Sequence, residues 1–248
     1  MGIRESTFVP ANLPARCTQG LHLALAAVSA AGIASGIAEL NLMSRVATQE
    51  FTEAEADAND SRQQFLRILV LAAWIAAFAS FLLWFYRAHR NLPTLAARRI
   101  KYSPRWAVGS FFVPVLNFAR PFQVMCEVWH GSNPATLERD LGQKARIRLA
   151  VREETPPLVG WWWGTFVASA LVGAFIARLS SVESLTLDQF QTLSTLRIVD
   201  HVLEIPTCLL AFRLVGSVTS WQSQRAELLR EKGALPLVES SALSSHAT

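Results

Sequence analysis

Four long apolar stretches, separated by charged segments, form the main hydropathy pattern of the chain. We predict transmembrane helices over residues 21–43, 67–87, 158–179 and 198–221, since about 20 apolar residues cross a bilayer. Gly32 and Gly36 in the first stretch have the spacing that allows close helix packing. The last stretch should kink at Pro206, and it contains four ionisable residues: Asp200, His201, Glu204 and Arg213.

A fifth apolar segment, residues 106–120, is short for a crossing. Pro114, Asn117 and Pro121 would each weaken a continuous helix there. We predict a re-entrant hairpin over 106–120, with a full crossing as the alternative, and an amphipathic surface helix over 121–131. The apolar side of that helix would consist of Phe122, Val124, Met125, Val128 and Trp129.

The distribution of charge favours the hairpin and orients the chain. Residues 45–66 contain two Arg and five acidic residues, whereas residues 87–157 contain twelve Lys and Arg and five acidic residues. Basic clusters flank the short segment on both sides, so a turn back keeps both in the cytoplasm, as the positive-inside bias favours.

This topology predicts an all-α, polytopic membrane protein with both termini in the cytoplasm. Residues 1–20 would be a cytoplasmic segment, residues 21–221 a single membrane domain, and residues 222–248 a disordered cytoplasmic tail. All four predicted spans, the hairpin and the surface helix would belong to that one membrane domain.

Composition supports the membrane assignment and argues against several classes of protein. Charged residues make up 17% of the chain, against roughly 25% in soluble domains, and mean hydropathy is +0.27. The net charge of +4 fits basic cytoplasmic loops better than nucleic-acid binding. Three separated cysteines form no disulfide framework or metal pair, and no hydrolase, metalloprotease or nucleotide-binding motif occurs. We therefore expect a non-enzymatic protein without cofactor or metal.

The stretch from Trp84 to Pro134 contains an ordered string of motifs: Tyr86-Arg87-Ala88, Asn91, Tyr102-Ser103-Pro104, Trp106-Ala107-Val108-Gly109, Phe112-Val113-Pro114, Asn117 and Arg120-Pro121. This string resembles the bacterial membrane-protein family catalogued as domain of unknown function 4328. Relatives often have two tryptophans after the glycine and another before the Arg-Pro pair, where this chain has Ser110-Phe111 and Ala119. The resemblance implies a location in a bacterial cytoplasmic membrane and no particular activity.

The ionisable residues of the last span form the first candidate site. Asp200, His201 and Glu204 occupy adjacent faces of one helix, and three ionised groups at mid-bilayer would cost roughly 8–10 kcal/mol. The topology places them with Glu39 and Arg178 in the outer half of the membrane, where Arg178 should pair with a carboxylate. The network is either a proton or cation site that titrates through His201, or a set of ion pairs between packed helices.

Asn117 and Arg120, at the far side of the hairpin, form a second candidate ligand site. They could bind an anion or hold the hairpin in place through hydrogen bonds. Six nearby basic residues should contact anionic lipid headgroups, at about 1 kcal/mol each: Arg87, Arg90, Arg98, Arg99, Lys101 and Arg105. A protein partner or a second copy of the chain is a further candidate partner, and nucleic acid is not expected.

Two functions remain open from the sequence. The first is a non-enzymatic scaffold or sensor whose basic cytoplasmic loop binds lipid or a partner. The second is a small transporter or channel-like protein that uses the network of Glu39, Asp200, His201 and Glu204 together with the hairpin. A cavity that links the network to Asn117 and Arg120 would favour transport, and a closed, dry core would favour the scaffold.

Overall fold

The computed structural model describes residues 8–46, 52–98, 100–142, 155–181 and 186–235. These residues form helices and turns with no strand among them, as the all-α prediction requires. In chain order the helices are α1 (Asn12–Val46), α2 (Glu53–Asn91), α3 (Pro104–Gly109), α4 (Arg120–Ser132), α5 (Leu137–Gly142), α6 (Pro157–Ser180) and α7 (Leu187–Glu231), with 3₁₀ turns at Leu116–Phe118 and Pro134–Thr136.

Four of these helices, α1, α2, α6 and α7, are long and apolar enough to cross a membrane. These four helices match the four predicted spans. All but α6 extend well beyond the predicted bounds, because the polar ends of the helices are capped or packed against other segments. Thr52 and Thr186 begin α2 and α7 with capping boxes. At the other end, α7 continues to Glu231 because Arg225 and Leu229 are buried. The predicted disordered tail is therefore helical as far as Glu231, and residues 236–248 lie outside the described part of the chain.

The long helices are arranged around α1 and α7. α1 packs along α2 and α7, and α6 packs along α7. The backbones of α2 and α6 stay apart, so that the two helices face each other across a gap. At one end of this gap they meet through side chains, with Phe81 and Trp162 rings 5.4 Å apart between centroids.

Small residues on α1 allow it to approach α7 closely. A methyl group on Gly32 would lie 2.5 Å from Nε2 of His201, and one on Gly36 would lie 2.6 Å from Cγ1 of Ile198. Both distances are shorter than real contacts of a β-carbon, so a side chain at either position would require the His201 or Ile198 side chain, or α7 itself, to shift. The packing role predicted from the Gly32–Gly36 spacing is confirmed.

The segment between α3 and α4 fills one end of the gap between α2 and α6. Over residues 106–120, α3 ends at Gly109 and the chain returns through the 3₁₀ turn, without a continuous helix. Phe111 packs edge-on against Phe85 of α2 and Trp163 of α6. The indole N–H of Trp163 donates to the carbonyl of Phe118 at 3.1 Å. The segment is therefore a wedge between the two helices, and we call residues 106–119 the wedge.

The helix predicted over 121–131 corresponds to α4, but its apolar side packs against protein. Val124, Met125 and Val128 are fully buried in the main core, where α4 contacts α6 and α7. Trp129 meets Trp221 edge-on at 4.5 Å. Amphipathicity alone does not distinguish a lipid surface from a neighbouring helix, and the position of α4 along the membrane surface stays a prediction.

A buried polar cluster fixes the end of α7 to the segments that follow α2 and α4. The guanidinium of Arg225 donates to a carboxylate oxygen of Asp140 at 2.6 Å and to the carbonyl of Leu95 at 2.7 Å. Gln222 donates to the carbonyl of Ala88 at 2.8 Å. These bonds hold α7, α5 and the end of α2 together on the side of the wedge.

Candidate functional site

The part of the gap that the wedge does not fill is a cavity of about 820 Å³. This volume falls within the range of roughly 300–1,000 Å³ that is typical of small-molecule pockets. All four long helices contribute to its wall. Leu71 and Trp74, which line it from α2, are also exposed on the outside of the bundle. The cavity therefore reaches the face of the bundle between α2 and α6.

Six ionisable side chains line the cavity, at two levels along the helices. Glu204 marks the lower level, because it also borders a small pocket among the aromatic rings next to the wedge. Arg197 marks the upper level, since it precedes Glu204 by seven residues, or about 10 Å along a helix. The lower level consists of Asp200, His201 and Glu204, and the upper level of Glu39, Arg67 and Arg197.

At the lower level, one hydroxyl contacts two carboxylates. Oγ of Ser169 on α6 lies 2.7 Å from Oδ1 of Asp200 and 3.5 Å from Oε2 of Glu204. The thiol of Cys208 donates to the other oxygen of Glu204 at 3.7 Å. Within the described ranges, no Lys or Arg lies in ion-pair distance of either carboxylate. Their mutual repulsion would be relieved by a proton or another cation held between them.

At the upper level, two arginines face one carboxylate. Arg197 is half-buried and interacts electrostatically with both Glu39 and Arg67. Glu39 is only 2% exposed, and in the described part of the chain its carboxylate has no hydrogen-bond partner. The hydroxyl of Ser194, also buried in the wall, has none either. The upper level therefore has unused hydrogen-bonding capacity and an excess of positive charge.

The structure brings together four of the six predicted ligand-site residues: Glu39, Asp200, His201 and Glu204. The prediction for Arg178 is wrong. Its side chain is exposed, and it makes no ion pair with these carboxylates within the described residues. The reason is its position on α6, where Gly173, Ile176 and Ser180 are the residues that face the cavity. Arg197 supplies the positive charge instead.

Sequence reasoning missed Arg67, Arg197 and Ser169. The two arginines stand at the edges of the second and fourth apolar stretches, and neither was assigned a role. A usable signal was present in α7, because Arg197, Asp200 and Glu204 recur at the i, i+3, i+7 spacing of one helix face. Ser169 gave no signal, since a single serine in an apolar helix is common.

Asn117 and Arg120 lie apart from this cavity and do not line it. The guanidinium of Arg120 donates to the hydroxyl of Tyr102 and to Oε1 of Gln123, and it lies over the Tyr102 ring at 5.3 Å. Oδ1 of Asn117 is buried without a hydrogen-bond partner. Arg120 thus ties α4 to the chain before α3, which favours its structural interpretation.

An aromatic layer separates the two candidate sites. Below Glu204 the open space narrows to a pocket of about 30 Å³, bordered by His22, Phe81 and Trp162 among others. That is about the volume of one water molecule. Nδ1 of His22 lies 2.8 Å from the carbonyl of Thr18, inside its own helix. In this conformation the cavity is closed towards the wedge.

The predicted lipid-contacting residues lie near the wedge. Four of them are exposed and one, Arg87, is half-buried; Arg99 lies outside the described residues. Arg98 donates to the carbonyl of Asp140 at 3.3 Å. The exposed ones are Arg90, Arg98, Lys101 and Arg105.

A protein-family model matches residues 47–220 and is described as Domain of unknown function (DUF4328). The match extends well beyond the motif string at Trp84–Pro134, and it includes α2, α6 and the cavity-lining part of α7. Glu39 and the rest of α1 precede it. No curated protein and no solved structure matches the chain. The chain belongs to the family described as Domain of unknown function (DUF4328).

Proposed function

We propose that this protein is a small transporter or channel-like membrane protein whose cavity binds a proton or a small cation at Asp200 and Glu204. The observation that supports it best is the pair of carboxylates that contact Ser169 in the wall of an 820 Å³ cavity. Carboxylates that served only to pack helices would need no open space beside them; His201, which interacts electrostatically with Asp200, is the basic residue at this level.

The proposed orientation follows from the charge distribution. With both termini in the cytoplasm of a bacterial cell, the cavity faces the outer half of the membrane and the wedge faces the inner half. Phe112, Val115 and Phe118 of the wedge are exposed and would contact lipid as part of a re-entrant hairpin. Exposed Lys101 and Arg105 would then meet anionic headgroups.

In this orientation the cavity is closed on the cytoplasmic side and reaches the face of the bundle between α2 and α6. The aromatic contacts of Phe111 with α2 and α6 close the inner end. A cation could pass only if the wedge moved, because Phe111 and Trp163 fill the gap there. The wedge is therefore the element we expect to move in a transport cycle.

A scaffold or sensor is the second candidate, and the closed inner end favours it. In that case the cavity would sense an outer ligand, and the exposed residues Arg90, Arg98, Lys101 and Arg105 would bind anionic lipid or a partner. Neither function requires enzymatic chemistry.

The test is proton flux in liposomes that contain the purified full-length protein and a pH-sensitive dye. We expect the wild type to dissipate an imposed pH gradient, and Glu204→Gln to slow this at least tenfold. Glu227→Gln is the matched control, because Glu227 is exposed on the same helix and does not line the cavity. Dissipation at the same rate in protein-free liposomes would contradict transport and leave the sensor.

A further inference from the structure

The cation site leaves the upper level of the cavity unexplained. Arg67 and Arg197 both line it, with Glu39 as the acid close to them. No ion pair involving either arginine is found in the described parts of the chain. Placing two guanidinium groups beside one carboxylate in a partly dehydrated wall is costly. An anionic group supplied by a ligand would offset that cost.

Two further polar groups support a ligand at this level. The hydroxyl of Ser194 is buried in the wall without a hydrogen-bond partner, and the carboxylate of Glu39, also in the wall, makes no hydrogen bond within the described residues. Buried polar groups are nearly always satisfied in native proteins. An anion beside Arg197 would accept a hydrogen bond from Ser194, while Glu39 would remain as the countercharge of one arginine.

The wall between the two levels is mostly apolar. Val70 and Trp74 of α2 and Phe166 and Ala170 of α6 border the same space. Along α7, Asp200 lies about 4.5 Å and Glu204 about 10 Å from the level of Arg197. A ligand that reaches both levels therefore carries opposite charges about 5–10 Å apart, joined by a short apolar chain.

We propose that the cavity binds a small zwitterion, with its ammonium group at Asp200 and Glu204 and its carboxylate at Arg67 and Arg197. This inference rests on the cation site proposed above and adds an anion subsite to it. The ligand would lie with its ammonium group nearest the aromatic layer, because the acidic residues are at the lower level and the arginines are at the upper level. The apolar walls strengthen both ionic contacts by excluding water.

Three probes separate the two subsites: 5-aminovalerate carries both charges, pentylamine carries only the ammonium group, and valerate carries only the carboxylate. Their affinities are measured by isothermal titration calorimetry on the full-length protein in lipid nanodiscs. We expect 5-aminovalerate to bind at least tenfold more tightly than pentylamine, and valerate to bind most weakly. Empty nanodiscs serve to subtract partitioning into lipid.

Substitutions test whether the two arginines cause the tighter binding of 5-aminovalerate. Arg197→Gln should remove the preference for 5-aminovalerate over pentylamine, and Glu204→Gln should weaken the binding of both amines. Arg213→Gln is the matched control, because Arg213 is exposed on the same helix and does not line the cavity. Arg67→Gln is a second variant at the upper level of the cavity, to be used if Arg197→Gln does not fold.

The outcomes distinguish this inference from the proposed function. Equal wild-type affinity for 5-aminovalerate and pentylamine would overturn the zwitterion site and leave the cation site intact. A preference that persists in both Arg197→Gln and Arg67→Gln would also overturn it. Absence of amine binding together with absence of proton flux would contradict the cation site itself.

Discussion

Two ion pairs of α5 have the same length, but one is buried and the other is exposed. Comparing them tests how much burial adds to the stability that an ion pair provides. Asp140 lies 2.6 Å from Arg225, with 7% and 0% of the side chains exposed. Glu138 lies 2.6 Å from Lys232, with 78% and 41% exposed. The perturbations are Asp140→Asn and Glu138→Gln, which remove one charge each and keep the side-chain shape.

The expected magnitudes follow from burial. Breaking a buried ion pair costs about 3–5 kcal/mol, because the remaining charge is left without its partner. The Arg225 guanidinium keeps three other hydrogen bonds, to the carbonyls of Leu95 and Asn133 and to Thr136. We therefore expect the lower end for Asp140→Asn, about 3 kcal/mol. The exposed pair should contribute less than about 1 kcal/mol.

The assay is thermal unfolding of the purified protein in detergent, followed by circular dichroism. A loss of about 3 kcal/mol corresponds to a decrease in Tm of roughly 6–12 °C for a chain of this size. Glu138→Gln should leave Tm within error of the wild type. Similar decreases for both variants would refute the reasoning, since burial would then not control the strength of these pairs.

Two further substitutions test local features of the fold. Gly32→Ala should lower both Tm and amine affinity, because its methyl group would meet the ring of His201 at 2.5 Å; Gly20→Ala, with open space around it, should lower neither. A normal Tm and amine affinity for Gly32→Ala would contradict the close helix contact. Val115→Gly should stabilise the protein by about 1 kcal/mol, because Val115 has φ 68° in a tight turn closed by the Pro114 carbonyl, a conformation that is strained for a β-branched residue. A lower Tm for Val115→Gly in thermal unfolding would contradict this prediction, because it would show that the contacts of the Val115 side chain contribute more than the strain costs.

Local sequence features predicted the helices well and their surroundings poorly. α4 shows the difference: Val124, Met125 and Val128 form the apolar face that the pattern predicted, yet that face packs on α6 and α7. Arg178 is a second case, because it lies at the expected end of α6 but points away from the acids of α7. Hydropathy reports how apolar a face is, and it does not report which surface covers it.

The sequence by itself determined the four membrane-length helices, the family, and the three acidic residues and one histidine that share one cavity. These features depend on helical periodicity and on the exclusion of charge from apolar spans, which are properties of neighbouring residues. Only the tertiary structure decided that the cavity exists, that Arg67 and Arg197 border it, and that Arg225 is buried against Asp140. Those features depend on where α2 and α6 separate and on contacts between residues far apart in the chain, and a linear pattern of hydropathy contains no information about either.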